Sequence, residues 1–172
     1  ADAGLHQDDD LEEWQIEELR KKSETRRALD KAMDYLALRD HAAGELYQKL
    51  CRKFDAHSAA YAVARAGELG LLNDAGFARR RAAELLRKRK SRREILNDLS
   101  AKGIDRDTAA EVVEELFAED DDGENPELAT ARALVERQYA AKLAAGKRDQ
   151  VAAALARRGF SHAVIREVLS GD

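Results

Sequence analysis

The sequence predicts an all-α protein made of three tandem three-helix repeats in an elongated, curved array with no sheet, and three observations predict it. Of its 76 apolar residues (AVILMFWYC), 33 are Ala and 21 are Leu, whereas Val, Ile and Thr together number 14, so strand formers are scarce. A single Pro, ten Gly and 37% charged residues suit long solvated helices over a thin Ala/Leu seam. Apolar residues also recur at helical spacing in three successive blocks with shared turns.

Residues 1–24 form an acidic lead-in, partly disordered or helical, because residues 1–18 carry eight acids and no Lys or Arg. Trp14, Ile16 and Leu19 can still nucleate a helix there. Repeat 1 (25–72) follows with stripes at Leu29, Ala32, Met33 and Leu36, then Leu46, Tyr47 and Leu50, then Ala59, Ala62, Val63 and Ala66. Repeat 2 (73–118) has Phe77, Ala78, Ala82, Leu85 and Leu86, then Ile95, Leu96 and Leu99, then Ala109, Val112, Val113 and Leu116. An acidic hinge (119–125) precedes repeat 3 (126–172), whose stripes are Leu128, Ala131, Leu134 and Val135, then Val151, Ala154 and Leu155, then Val164, Ile165, Val168 and Leu169.

The registers align on Leu50, Leu99 and Leu155, each four residues after Leu46, Ile95 and Val151, which puts each pair on one helix face. In repeats 2 and 3 that helix ends alike, with Lys102-Gly103-Ile104-Asp105 and Arg158-Gly159-Phe160-Ser161. Gly permits a left-handed cap, the apolar residue returns to the core, and Asp or Ser caps the next helix. Repeat 1 has Lys53-Phe54-Asp55 instead, so its turn must differ. Asn73 or Asp74 can cap repeat 2, and Pro126 sits just inside the start of repeat 3.

Several function classes are disfavoured. His6, His41, His57 and His162 are scattered, and Cys51 has no His or carboxylate at a recognisable spacing, so no nucleophile and base pair emerges. Zinc spacings, the EF-hand loop, a phosphate-binding lysine loop and GxGxxG are missing. The chain is therefore read as a non-enzyme with no metal and no cofactor. The run Asp120-Asp121-Asp122 is read as a solvated acidic loop. Cys51 is read as a small apolar core residue, and its being the sole cysteine fits a reducing compartment. Tyr35, Tyr47, Tyr61 and Tyr139 are read as core or boundary residues. A polar acidic start and the lack of any apolar run near membrane-spanning length point to a soluble cytoplasmic protein with no membrane partner; a monomer is expected, although these features do not themselves set the oligomeric state.

Net charge is −4, yet the cations are concentrated. Between Arg79 and Arg93 there are nine Lys or Arg against one acid, Glu84. Arg79, Arg80 and Arg87 are expected toward solvent on one helix, and Lys88, Arg89, Lys90, Arg92 and Arg93 around the next helix start. Cations there oppose the positive helix N-terminus, so local stability does not explain them. Arg favours bidentate recognition of carboxylate or phosphate, which makes these residues candidate contacts for an acidic protein or a nucleic-acid backbone. Lys147 and Arg148 form a secondary candidate set. Aromatics are too few for a base-stacking platform.

The series Ala37-Leu38-Arg39-Asp40-His41, Glu45-Leu46 and Lys49-Leu50, then Gly70-Leu71-Leu72-Asn73-Asp74 leading to Phe77-Ala78, then Lys102-Gly103-Ile104 resembles the RecX regulatory proteins of bacteria. So do Ala133, Arg137, Tyr139 and Arg158-Gly159-Phe160. The resemblance covers about residues 26–169. It implies a modulator of the recombinase RecA, built of three three-helix repeats, that binds the RecA filament on single-stranded DNA. It further implies inhibition of ATP hydrolysis, strand exchange and coprotease activity, and so modulation of DNA repair and the SOS response. The family often has a Gly- and Pro-containing turn in the middle repeat where this chain has Arg89-Lys90-Ser91-Arg92, so a longer or differently kinked helix is expected there. The rival reading is a direct helical DNA-binding module acting without RecA, since small helical units with a basic second helix resemble helix-turn-helix readers.

Overall fold

The structure, a computed structural model, describes residues 12–118 and 125–170; most of the acidic hinge and the first eleven residues of the lead-in lie outside the described residues. Every regular element among the described residues is a helix, and the chain divides into two compact units, Ala1–Leu72 and Asn73–Asp172. No described helix is long and apolar enough to cross a membrane.

The first unit holds α1 (Glu13–Leu38), α2 (Ala43–Leu50) and α3 (Ala56–Glu68). Trp14, Ile16 and Leu19 do lie in a helix: α1 starts at Glu13, held by a capping box of Glu12 with Gln15, and runs on without a break into the first stripe of repeat 1. Ala28 and Ala32 of α1 face Ala59 and Ala62 of α3, all fully buried, and these small side chains let the two helices approach closely. Leu46 and Leu50 of α2 close the core, at about 1.5–3 kcal/mol for each buried leucine. Asp55 caps α3 by accepting from the Ser58 amide at 2.9 Å, and no left-handed residue occurs in the preceding turn. Cys51 is exposed, a correction to its reading as a core residue: it is the C-cap of α2, one position past the buried Leu50, and a one-residue step turns it 100° off the core face.

The start of α2 lacks a side-chain cap, and a tertiary network takes its place. Arg39 forks onto Glu45 at 2.9 and 3.1 Å, and Glu45 Oε2 lies 2.9 Å from Nδ1 of His41. His41 is buried; burial lowers its pKa, with the Arg39 and Lys49 charges adding to the effect and Glu45 opposing it.

The second unit holds α4 (Asp74–Arg87), α5 (Arg92–Ala101), α6 (Arg106–Leu116), α7 (Pro126–Gln138), α8 (Ala140–Ala144), α9 (Arg148–Arg158) and α10 (His162–Ser170). Asn73 is the residue that caps α4, Asp105 caps α6, Asn125 caps α7 ahead of Pro126, and Ser161 caps α10. Ile95, Leu99, Val151 and Leu155 are fully buried, as their register with Leu46 and Leu50 requires. Around Val151 and Leu155 gather Leu128, Leu134, Phe160 and Ile165. Repeat 3 carries one element more than three stripes predict, the five-residue α8. Gly146, at φ +71°, closes α8 and frees the chain to start α9.

The middle turn differs from expectation in an instructive way. The helix does not continue through this segment: α4 stops at Arg87, and Arg89 takes the left-handed conformation at φ +57°. The Arg89 and Lys90 amides donate to the Leu86 and Leu85 carbonyls at 2.8 and 3.1 Å, the bond pair of a Schellman turn. The same pair closes α5 through Gly103 and Ile104, and α9 through Gly159 and Phe160. An arginine thus sits where the chain elsewhere uses glycine, at about 1 kcal/mol of backbone strain.

Candidate functional site

Eight of the ten cations singled out in the sequence lie on α4, the turn after it and the first residues of α5. The structure sorts them by what they touch. Arg79 reaches across to α6, where its Nε donates to Glu115 at 3.0 Å, and this lowers the Glu115 pKa. Lys88 pairs with Glu84 one turn back. Lys90 donates to Glu94 at 2.9 Å. Arg92 pairs with Glu114 of α6 and lies over the Phe117 ring at 5.2 Å. Arg80 is exposed on α4 and also interacts within the protein. Arg81, beside them, forks onto Asp98 at 2.8 and 2.9 Å, tying α4 to α5; that bond holds the Asp98 carboxyl below its ordinary range.

Arg93 has a different task. Its Nη2 donates to the carbonyls of Arg157 and Ala156, at 3.1 and 3.4 Å, in the last turn of α9, where the Ala156 carbonyl also accepts the Gly159 amide. Ser91 is fully buried. Its Oγ caps α5 by accepting from the Glu94 amide at 3.2 Å and donates to the Arg158 carbonyl at 2.6 Å. Gly159 makes this junction between repeats 2 and 3 possible: a Cβ there would stand 2.5 Å from Arg93 Nε and 2.8 Å from Arg93 Cβ. Close by in charge, Glu127 at the start of α7 is half-buried; desolvation raises its pKa while Arg92 opposes the rise.

Four candidates remain without an acidic partner among the described residues: Arg87, Arg89, Lys147 and Arg148. Arg87 is exposed and Arg89 half-buried at the α4–α5 turn; Lys147 and Arg148 are exposed at the start of α9. Two of the pairings could have been read in sequence, since Glu84–Lys88 and Lys90–Glu94 are four residues apart. The Ser91-Arg92-Arg93-Glu94 capping box is likewise a sequence-level signature. Sequence reasoning missed the role of Ser91 and the carboxylates of Glu114 and Glu115, because α6 delivers those two from far along the chain.

The large apolar side chains that stay exposed among the described residues, including Trp14 (64%), Leu38 (82%) and Tyr61 (48%), all belong to the first unit. A groove between α1 and α3 in that unit is lined by Lys21, Thr25, Leu29, His57 and Tyr61. No group of three metal-ligating side chains occurs among the described residues.

Comparison with known proteins matches this arrangement to one family. Residues 28–65 match the RecX first three-helix domain and residues 73–113 the RecX second three-helix domain. The regulatory protein RecX of Halorhodospira halophila (strain DSM 244 / SL1) is 32% identical over 140 residues, covering 80% of this chain and 83% of that protein. The crystal structure of RecX from Lactobacillus salivarius superposes with a TM-score of 0.72 at 19% identity, over 87% of this chain and 97% of that one. A second crystal structure of a regulatory protein RecX gives a TM-score of 0.77 at 17% identity, over 96% and 81% of the two chains.

Proposed function

The chain belongs to the RecX family of regulatory proteins, and from that premise we propose that it is a non-enzymatic regulator that binds the RecA filament on single-stranded DNA. Bound there, it restrains ATP hydrolysis, strand exchange and coprotease activity, and thereby modulates DNA repair and the SOS response. It works in the cytoplasm as a monomer and needs no cofactor.

The observation that carries this reading is the sorting of charge in the second unit. A chain with net charge −4 leaves Arg87, Arg89, Lys147 and Arg148 without acidic partners among its described residues, while the neighbouring cations are paired. Such groups suit an anionic target met from outside. The exposed apolar side chains of the first unit suit contact with a protein, so the two units together fit a nucleoprotein. Many modest contacts linked on one chain give avidity without a deep pocket.

The test is the ATPase of RecA on single-stranded DNA, titrated with this chain. Inhibition at concentrations comparable to RecA is expected, and full ATPase activity at saturating chain would refute the proposal. The same four cations also favour the rival, a helical module binding DNA by itself. Affinity for naked DNA with a steep salt slope, together with no effect on RecA, would establish that reading instead.

A further inference from the structure

Arg89 combines two features that do not occur together elsewhere among the described residues: it is the one non-glycine residue with positive φ, and it is a cation without an acidic partner there. Gly70, Gly103, Gly146 and Gly159 take the corresponding place in the other turns of this kind, closed by the same pair of backbone bonds. Local backbone preference therefore favours glycine at 89, and neither an ion pair nor a helix cap made by the side chain explains the arginine. Residues held in costly conformations point to function when the surroundings enforce them. Here Leu85 and Leu86, whose carbonyls receive the Lys90 and Arg89 amides, do the enforcing.

We propose that Arg89, with Arg87 beside it, is a direct contact to a phosphodiester backbone. This rests on the reading that the chain meets a nucleoprotein, and assigns the nucleic-acid part of that contact to this turn. The guanidinium fork matches phosphate geometry, and Arg87, two residues before Arg89, is the last residue of α4. The flanking cations are committed elsewhere: Lys88 to Glu84, Lys90 to Glu94 and Arg93 to the carbonyls at the end of α9. Phosphate is favoured over a protein carboxylate by what surrounds the pair. The second unit exposes no large apolar side chain among its described residues, whereas the centre of a protein interface is built on buried apolar and aromatic anchors. A phosphate contact needs none.

The experiment compares the full chain with Arg89→Gly, Arg87→Ala and the control Lys90→Ala. Anisotropy of fluorescein-labelled oligo(dT) is followed against salt, with thermal unfolding and RecA ATPase inhibition measured in parallel. Glycine relieves the turn but frees the unfolded chain, so Arg89→Gly raises Tm by about 1–2 °C. It also weakens oligo(dT) binding about fivefold and reduces the log–log salt slope by about 0.7, the loss of one single-strand phosphate contact. A variant that is more stable yet binds less cannot owe its defect to misfolding. Arg87→Ala shifts slope and affinity similarly, and Lys90→Ala shifts them less. The proposal is overturned if Arg89→Gly binds oligo(dT) like the parent, if the parent does not bind it at any salt concentration, or if Lys90→Ala loses as much. Should Arg89→Gly lose RecA inhibition while keeping oligo(dT) binding, the pair contacts protein carboxylates and the assignment falls. A parent chain that binds oligo(dT) through Arg89 but leaves RecA uninhibited would keep this assignment and refute the regulatory reading.

Discussion

Substituting Gly159 by Ala tests the junction between repeats 2 and 3 more directly than any charge reversal. Gly159 stands at φ +94°, so a side chain there costs about 1–2 kcal/mol in backbone strain. The new Cβ would lie 2.5 Å from Arg93 Nε and 2.8 Å from Arg93 Cβ, so Arg93 must leave the Ala156 and Arg157 carbonyls. Losing those charge-assisted bonds adds about 1.5 kcal/mol, and the stiffer unfolded chain returns about 0.5 kcal/mol. The expected net loss is about 2–3 kcal/mol, read as a lower urea midpoint by circular dichroism. Gly146→Ala is the control, because its φ is +71° and nothing lies within 4 Å of the added Cβ; it should cost only about 1 kcal/mol. In an Arg93→Gly background the clash disappears, and Gly159→Ala should fall to the same strain-only cost. If the penalty of Gly159→Ala is unchanged in that background, or equals that of Gly146→Ala in the parent, Arg93 is not what Gly159 accommodates.

Three further expectations concern stability. Ser91→Ala removes both the α5 cap and the bond to the Arg158 carbonyl, and should lower unfolding free energy by about 2 kcal/mol in urea titration; a loss under about 0.5 kcal/mol would show the buried hydroxyl to be dispensable. His41, whose folded pKa is lowered, stays neutral in the native state where the unfolded chain already binds a proton. Its contribution is therefore present above the unfolded pKa of about 6.5 and is lost as pH falls through the folded pKa. His41→Gln should flatten stability against pH in that window, and an unaltered profile would exclude His41 as its source. Glu127, raised by burial, is strained in its ionised form, so Glu127→Gln should raise the urea midpoint at neutral pH and leave it unchanged near pH 4, where the native carboxyl holds its proton.

The repeats were legible because burial in a helix is periodic. Leu46, Ile95 and Val151 and their partners four residues on could be aligned by spacing alone, and all six are fully buried. The capping residues Asp105 and Ser161 were equally plain, since a short polar side chain ahead of an apolar run has one local use. The middle turn was harder. Arg89-Lys90-Ser91-Arg92 contains no glycine, and only the backbone bonds show that the same turn forms around an arginine.

What the sequence determined by itself is whatever depends on neighbours within one helical turn: the all-α class, the helix starts that their own side chains cap, the buried faces and the concentration of cations between Arg79 and Arg93. What the tertiary structure decided is the state of those cations. Glu114 and Glu115 arrive from α6, and the carbonyls of Ala156 and Arg157 from α9, across separations that no local pattern encodes. Charge falls off over a few ångströms in space rather than in sequence, so which arginines are spent inside the fold and which remain for a partner is settled only when helices from different repeats are packed together.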